Sequence, residues 1–225
     1  MRHFMFRMLN HRNMDFEYAL WLMVNLCTSP RTAFRTTLYH SRTKHQWARD
    51  DPAFLVLLFY LLLIASVAWS LAFTRGTPQQ LVGLFLYVAL VDFLLFGAAL
   101  STVGWWLSNT YLRGRGPETV EWLYAFDVHC NAFVPLYLML HVGQYLLLPL
   151  LLRPGVVALL LSNLLYATAF SVYHYLTFLG YSELPFLHHC ECFVYPIAII
   201  LLTFALSLLV NVNCTAMVSC IYFSR

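Results

Sequence analysis

The chain changes character within the stretch Gln46-Trp47-Ala48-Arg49-Asp50-Asp51-Pro52-Ala53-Phe54-Leu55-Val56-Leu57-Leu58-Phe59. The sequence before it is basic, and the sequence after it is apolar, with no charged side chain between Ala53 and Phe73. An aspartate followed by a proline is typical of a helix start, because the carboxylate caps the first turn and the proline has no N–H to leave unpaired. At about 1.5 Å per residue, the apolar run is long enough to cross a hydrocarbon layer of about 30 Å. This stretch therefore predicts the beginning of a first transmembrane helix.

The composition places the whole chain in the same class. Its 225 residues are 61% hydrophobic and only 10% charged, with a mean hydropathy of +0.69. Soluble domains carry about 25% charged residues and lack apolar runs of this length. We therefore expect an all-α fold, a polytopic bundle of membrane-spanning helices.

The charges divide the chain into two parts. Residues 1–52, called the headpiece below, hold eight of the thirteen Lys and Arg residues and four acids, a net charge of +4. Residues 53–225 form the predicted membrane domain. Five apolar segments are expected to span the membrane, at about 53–73, 81–107, 124–152, 156–179 and 193–212. Because cytosolic loops carry an excess of Lys and Arg, the basic headpiece predicts a cytosolic N-terminus and a lumenal C-terminus.

The headpiece itself is predicted to be helical. A first helix is expected from Phe4 to Cys27, and the spacing of Phe16, Leu20, Met23 and Cys27 puts these four residues on one face. Thr28-Ser29-Pro30 marks a break and a restart. A second helix running on to residue 49 would align four arginines along one line. The candidate contact residues of this basic surface are Arg31, Arg35, Arg42, Lys44 and Arg49.

This basic surface has more than one interpretation. Arginines beside apolar residues suit the anionic headgroups of a cytosolic leaflet. The same arginines interleave with the aromatic residues Phe34, Tyr39 and Trp47, a pattern that also suits RNA through phosphate contacts and base stacking. The excess of positive charge on cytosolic segments explains these residues without any RNA. The sequence leaves these alternatives open.

Small residues line one face of the second predicted span. Gly97, Ser101, Gly104 and Ser108 recur at helical spacing, which predicts close approach of a neighbouring helix. The loop at 109–121, with Arg113 and Arg115, is expected on the cytosolic side beside the headpiece.

Several polar residues interrupt the predicted spans and are functional candidates by default, since ionisable groups in a membrane are costly. Helical spacing places Asp127, Asn131 and His141 on one face of the third span, with His129 pointing away. Asn163 and His174 share a face of the fourth span, and Asp92 lies within the second span. We expect a polar seam between the third and fourth spans. Its alternatives are interhelical hydrogen bonding, a proton or ion path, a lipid-headgroup site, or a metal site built from Asp127, His141 and His174.

The cysteines and histidines do not predict a metal centre or a cofactor. His188-His189-Cys190-Glu191-Cys192 has only His188 and Cys192 at a helical i, i+4 spacing, and a tetrahedral site needs ligands from two separated pairs. We therefore expect a polar loop at the membrane surface and no bound metal. Cys214 and Cys220 are candidates for a disulfide if they face an oxidising lumen.

Five sequence blocks resemble the Unc-fifty (uncoordinated-fifty) family. They are Met14-Asp15-Phe16-Glu17-Tyr18-Ala19-Leu20-Trp21, Ser29-Pro30-Arg31-Thr32, Lys44-His45-Gln46-Trp47-Ala48-Arg49-Asp50-Asp51-Pro52-Ala53-Phe54-Leu55-Val56-Leu57, Val120-Glu121-Trp122-Leu123-Tyr124-Ala125-Phe126-Asp127-Val128-His129 and Thr177-Phe178-Leu179-Gly180-Tyr181-Ser182-Glu183-Leu184-Pro185-Phe186-Leu187. These blocks run from the headpiece to the last predicted loop, so the resemblance covers most of the chain.

The resemblance implies a five-span protein of the Golgi membrane, also reported at the inner nuclear membrane. It implies a role in vesicle transport and in surface delivery of membrane receptors of the nicotinic acetylcholine type. It further implies association with guanine-nucleotide exchange factors for Arf GTPases, and RNA binding. It supplies no catalytic residues, so we expect a protein that works by binding partners and not by turnover. The rival hypothesis is a membrane-embedded enzyme or transporter that uses the polar seam.

Overall fold

The computed structural model describes residues 15–44, 49, 51–74 and 77–223, and it describes only the main chain of residues 38–44. Eight helices account for most of these residues. They are α1 (Phe16–Thr28), α2 (Pro30–Lys44), α3 (Ala53–Phe73), α4 (Pro78–Leu112), α5 (Trp122–Leu151), α6 (Val156–Ser182), α7 (Cys190–Leu209) and α8 (Cys214–Phe223).

Five of these helices, α3 to α7, are long and apolar enough to cross a membrane. The prediction of an all-α, five-span bundle is therefore confirmed. The spans α4, α5 and α6 are longer than predicted, and α7 begins and ends three residues earlier. The main chain at Asn211 is left-handed, with φ of 59°. Asparagine tolerates this conformation and commonly follows a helix end, which accounts for the early end of α7.

Two of the spans contain segments of wider, π-helical winding. In α4 they are Val88–Leu95 and Ser108–Leu112, and in α5 the segment is Leu138–Gly143, three residues after the internal Pro135. A proline removes an N–H from the helical ladder, and a wider turn is one way for the helix to accommodate it. Each π segment shifts the faces of the residues that follow it.

Asp51 caps the start of α3 as predicted, but from one residue before the N-cap position, which Pro52 occupies. Its Oδ1 accepts a hydrogen bond from the N–H of Ala53 at 3.0 Å, which satisfies a free donor at the start of α3. Its Oδ2 accepts another from the N–H of Asp15 at 2.9 Å, and Asp15 caps α1 through the N–H of Tyr18. Two aspartates thus tie the beginnings of α1 and α3 together.

The buried face of α1 differs from the predicted one. Ala19, Leu22, Met23 and Leu26 are buried, whereas Leu20 is 52% exposed and Cys27 is exposed. The helix is apolar on both sides, and spacing alone does not distinguish the side that packs on the protein from the side that faces lipid. Residues 4–14 of the predicted first helix lie outside the described residues.

The second helix also differs from its prediction, because Arg49 lies outside any helix, and the described part of α2 runs from Pro30 to Lys44. The single line of four arginines is therefore not formed. Instead α2 is held by Ala33 and Phe34, which are buried. Phe34 lies over Gly180 near the end of α6, with its Cε1 3.2 Å from the position that a Cβ would take. The apolar core is continuous from α1 and α2 into the spans, so the headpiece is not separate in its packing.

The small residues of α4 allow the predicted close approach, which is confirmed. A Cβ at Gly97 would lie 2.3 Å from Nε2 of His129 on α5, and one at Gly104 would lie 2.4 Å from the hydroxyl of Tyr181 on α6. Between them, the hydroxyl of Ser101 donates to the carbonyl of Ala125 at 3.3 Å. Larger side chains at Gly97 and Gly104 would push α5 and α6 away from α4.

The helix α8 folds back along the bundle instead of crossing the membrane. It begins against α6, where the N–H of Cys214 donates to Asn163 Oδ1 at 2.9 Å. It ends against the spans α3 and α4, where the ring of Phe223 stacks on that of Phe73 at 4.6 Å. Cys214 and Cys220 have free thiols. Six residues of helix separate their Cα atoms by about 9 Å, too far for a disulfide.

Candidate functional site

Two places in the bundle gather polar side chains, and the first is the junction between headpiece and spans. We define the junction as Arg49, Asp127 and Asn131. The main-chain N–H of Arg49 donates to Asp127 Oδ2 at 2.5 Å, and its Nη2 donates to Asn131 Oδ1 at 2.6 Å. The Arg49 guanidinium carbon lies 4.0 Å from the centroid of the Phe54 ring, in cation–π geometry.

The sequence explains why these groups meet. Asp127 and Asn131 are one helical turn apart, so they lie on the same side of α5 near its first turns. Arg49 lies just ahead of the capped start of α3, which fixes it beside them. A charge within an apolar bundle is tolerated when it is paired and hydrogen-bonded. The junction therefore attaches the last residues of the headpiece to α5.

The other basic candidates separate from Arg49. Arg31 and Arg35 are exposed on α2, whereas Ala33 and Phe34 on the same helix are buried. The side chains of Arg42 and Lys44 lie outside those the structure describes. The basic residues that sequence reasoning grouped as one surface thus divide into an exposed pair and a docked arginine.

A second exposed pair lies at the same end of the bundle. Arg113 and Arg115 are exposed in the loop between α4 and α5. This loop pairs with the loop after α6, because Gly114 N–H donates to the Phe186 carbonyl at 3.0 Å and His188 N–H donates to the Leu112 carbonyl at 2.8 Å. Since α2 also packs on the end of α6, both pairs occupy one face. We call Arg31, Arg35, Arg113 and Arg115 the basic face.

The predicted polar seam between α5 and α6 is not formed as one unit. Asp127 and Asn131 turn to the junction. Asn163 turns to α7 and α8, where its Nδ2 donates to Ser207 Oγ at 2.9 Å and to the Val212 carbonyl at 2.8 Å. Asp92 turns to α8, where its Oδ2 accepts from the hydroxyl of Tyr222 at 2.6 Å.

The polar contacts between α5 and α6 use other residues. His129, which helical spacing was expected to point away, lies 2.8 Å from the Tyr173 hydroxyl through its Nδ1. Gln144 donates to the Tyr166 hydroxyl at 2.9 Å. His129 does point away from Asp127 and Asn131, as expected, but the side of α5 that faces α6 is the His129 side and not the Asp127 side. The small residues of α4 were the available signal, since Gly97 makes the room that the His129 ring occupies.

The second polar place is a cavity of about 430 Å³ between α3, α4, α5, α6 and α8. We call it the intramembrane cavity. Its walls are mainly leucine, valine and aromatic side chains. The ionisable or amide side chains that line it are Asp92, His129, His141, Gln144, Tyr166, Tyr173, His174 and Tyr222.

His141 is the least satisfied of these groups. Both of its ring nitrogens are buried without a hydrogen-bond partner among the described residues. The ring stacks on Tyr137, with centroids 5.2 Å apart, and the His141 carbonyl accepts the indole N–H of Trp69 at 2.9 Å. Neighbouring groups thus hold the ring at the wall of the cavity, with both of its nitrogens unsatisfied among the described residues.

Within the described part of the chain, no group of three or more His, Cys, Asp or Glu side chains comes together in a way that could hold a metal ion. Asp127, His141 and His174, the combination considered from the sequence, are separated: Asp127 is in the junction, and the two histidines line the intramembrane cavity.

Comparison with known proteins places the chain in a family. A family model described as the UNC-50 family matches residues 4–223. Protein unc-50 homolog of Dictyostelium discoideum is 42% identical over 222 residues, covering 96% of this chain and 85% of that protein. Protein unc-50 of Caenorhabditis elegans is 41% identical, covering 97% and 73%, and the Homo sapiens homolog is 42% identical, covering 93% and 82%. No solved structure matches the chain. The resemblance of the five sequence blocks is thereby confirmed, and this multi-pass membrane protein belongs to the UNC-50 family.

Proposed function

We propose that this protein supports vesicle-mediated transport at the Golgi membrane, including the surface delivery of receptors of the nicotinic acetylcholine type. It works by binding partners and not by chemical turnover. The observation that carries the proposal is the basic face, which presents four exposed arginines from two separate segments at one end of the bundle. The Golgi context is what the resemblance implies, and membership of the UNC-50 family supports it.

The basic face is suited to docking because its segments are held. Phe34 and Ala33 anchor α2 on the end of α6, and the hydrogen bonds at Gly114 and His188 hold the arginine-bearing loop. A partner that meets a preorganised surface loses less conformational entropy on binding. Positive charges on such a surface attract anionic lipid and the acidic surfaces of proteins, with an effect that salt weakens.

The partners that fit this surface are the anionic cytosolic leaflet and trafficking proteins such as guanine-nucleotide exchange factors for Arf GTPases. This requires the basic face to be cytosolic, with the N-terminus on the same side and the C-terminus in the lumen. Protease protection in sealed Golgi vesicles tests the orientation. The Arg113–Arg115 loop is expected to be cleaved without detergent, and protection of that loop would contradict the proposal.

RNA is a weaker partner for the same face. Phe34, one of the aromatics that suggested base stacking, is 5% exposed and packs beneath α2. The other two, Tyr39 and Trp47, lie outside the described side chains. RNA binding would require crosslinks between residues 31 and 49 in cells, and their absence would remove RNA from the list of partners.

The rival reading, an enzyme or transporter using a seam between α5 and α6, has less support. Asp127 and Asn131 both bond to Arg49, whereas Asn163 bonds to Ser207, so the three residues do not line a common path. Of the seam candidates, Asp92, His141 and His174 share the intramembrane cavity.

The decisive experiment reverses charge on the basic face in the full chain. In cells lacking the endogenous protein, the double variant Arg31→Glu/Arg35→Glu is expected to lose most recruitment of the exchange factor and most receptor surface delivery. The matched control is Arg153→Glu, an exposed arginine in the turn between α5 and α6 at the opposite end. Both variants should reach the Golgi at wild-type levels. Wild-type delivery by the double variant, or equal loss in the control, would overturn the proposal.

A further inference from the structure

Residues with exposed side chains line the intramembrane cavity at the depth of the hydrocarbon layer. Phe96 and Leu100 near the middle of α4, and Phe170 near the middle of α6, line it and are 58%, 44% and 42% exposed. These positions are near the centres of spans that cross the hydrocarbon layer. A molecule entering between α4 and α6 would therefore come from the membrane itself.

The size and lining of the cavity are those of a ligand site. A volume of about 430 Å³ lies within the range of roughly 300–1,000 Å³ typical of small-molecule pockets. Such pockets are mostly apolar with a few polar groups that fix orientation. Here those groups come from four helices, and His141 keeps two buried ring nitrogens without a partner among the described residues.

The polar groups restrict the chemistry of the occupant. No lysine or arginine is among the described residues that line the cavity, and Asp92 contributes a carboxylate. A phosphate or carboxylate headgroup would lack a cationic partner and would face that acid. A neutral imidazole offers one hydrogen-bond donor and one acceptor, and an uncharged hydroxyl offers the same pair in return. The ring of His141 is therefore complementary to an alcohol.

We propose that the intramembrane cavity binds a neutral membrane lipid whose polar end is a hydroxyl group, such as a sterol or a diacylglycerol, with the hydroxyl hydrogen-bonded to His141. The lipid enters sideways between α4 and α6. Its apolar body lies along the aromatic and aliphatic walls of the cavity. Without such a lipid, acyl chains of the bilayer would have to fill this space. This binding site is independent of the basic face and of the transport function proposed above.

The test uses the full chain reconstituted in phosphatidylcholine nanodiscs. Photoactivatable, alkyne-tagged probes are added in three separate arms: a sterol, a diacylglycerol and a phosphatidylcholine. Labelled peptides are mapped by mass spectrometry, with and without excess untagged lipid of the same kind. Saturable, competed labelling of cavity-lining peptides is expected in the sterol or the diacylglycerol arm, and the arm that labels identifies the source of the hydroxyl. Phosphatidylcholine is expected to label the outer surface without competition.

Two variants connect the labelling to the cavity. His141→Leu replaces the imidazole with an apolar side chain of moderate size and removes the hydrogen-bond partner of the lipid hydroxyl. It should reduce saturable labelling about tenfold, which is the equivalent of one buried hydrogen bond. Leu100→Trp narrows the mouth and should reduce labelling without touching His141. The control is His188→Leu, an exposed histidine in the loop after α6, which should label as wild type.

Stability and labelling are measured together, so that a folding defect can be told from a loss of lipid binding. Thermal unfolding in detergent establishes that each variant is folded, and Leu100→Trp gives an answer even if His141→Leu fails to fold. Absence of competed labelling in both neutral-lipid arms overturns the proposal. So does equal cavity labelling by phosphatidylcholine, or wild-type labelling in both the His141→Leu and the Leu100→Trp variants.

Discussion

The junction and the intramembrane cavity both bring polar side chains into a lipid-buried bundle, but they treat those side chains in opposite ways. In the junction, Arg49 meets Asp127 and Asn131 at 2.5 and 2.6 Å. In the cavity, His141 is buried with both ring nitrogens unbonded among the described residues. Polar groups that find partners within the chain stabilise the fold, and polar groups that do not are available to a ligand. The two places therefore differ in whether their polar groups have hydrogen-bond partners within the chain, and not in whether those groups are buried.

The largest expected effect comes from breaking the junction. Asp127→Ala removes the carboxylate that accepts the main-chain N–H of Arg49 and leaves that donor unsatisfied. Hydrogen bonds to charged groups contribute about 1.5–3 kcal/mol, so we expect a loss of about 2–3 kcal/mol in the free energy of unfolding. Denaturant unfolding in detergent micelles measures this. The exposed Glu118→Ala serves as the control, and equal stability of the two variants would show that the junction is not structural.

A slightly smaller effect is expected at the close contact between α4 and α5 beside the cavity. Gly97→Ala places a methyl group 2.3 Å from Nε2 of the His129 ring. That ring cannot move away freely, because its centroid lies 5.4 Å from the Phe93 ring centroid and 5.7 Å from the Phe133 ring centroid. Overpacking of this kind costs typically 1–3 kcal/mol.

The matched control lies on the same helix. Gly83→Ala meets nothing within 4 Å and should be neutral or slightly stabilising, because alanine favours the helix. If the Gly97 and Gly83 variants unfold alike, the close packing of α4 on α5 is not required for stability.

A paired substitution compares the two places directly. Asn131→Leu removes the acceptor of the Arg49 guanidinium and should lower the free energy of unfolding by about 1–2 kcal/mol. His141→Leu breaks no side-chain hydrogen bond among the described residues and should change it by less than about 0.5 kcal/mol, or raise it. Unfolding is measured in detergent without added neutral lipid. A larger loss for His141→Leu than for Asn131→Leu would reverse our assignment of structural and ligand-binding roles.

The smallest effect on stability is expected at the basic face. Arg31→Glu and Arg35→Glu change exposed side chains on a helix that is held by the buried Ala33 and Phe34, so the unfolding temperature should not change. A clear drop in that temperature would mean that these arginines help to hold α2 on the bundle, and it would weaken their role as partner contacts.

The sequence was sufficient for features that depend on local pattern. Apolar length predicted five spans, Asp51 before Pro52 predicted the cap of α3, and Gly97 to Ser108 predicted close helix packing. The junction was not predictable, because Arg49 and Asp127 are 78 residues apart and only the fold brings them together. The faces of α5 beyond Leu138 were also misjudged, since a π segment shifts the phase that regular helical spacing assumes.

For the intramembrane cavity, the sequence predicted some of the polar residues but not their assembly around one space. Asp92, His141 and His174 were recognisable as costly residues in apolar helices, but their common destination depends on α8. No charge or span length in the sequence indicates that this helix folds back, and its contact through Tyr222 with Asp92 links residues 130 positions apart.

The returning helix α8 also sets an order of assembly. Val218, Tyr222 and Phe223 form part of the wall of the intramembrane cavity, yet all five spans are synthesised before them. During insertion, the space between α3, α4 and α6 is open on that side until α8 reaches it. A newly made chain thus completes the wall of this cavity last, after the membrane has already received every span. A truncation before Val218 would leave a five-span bundle with one side of the cavity missing.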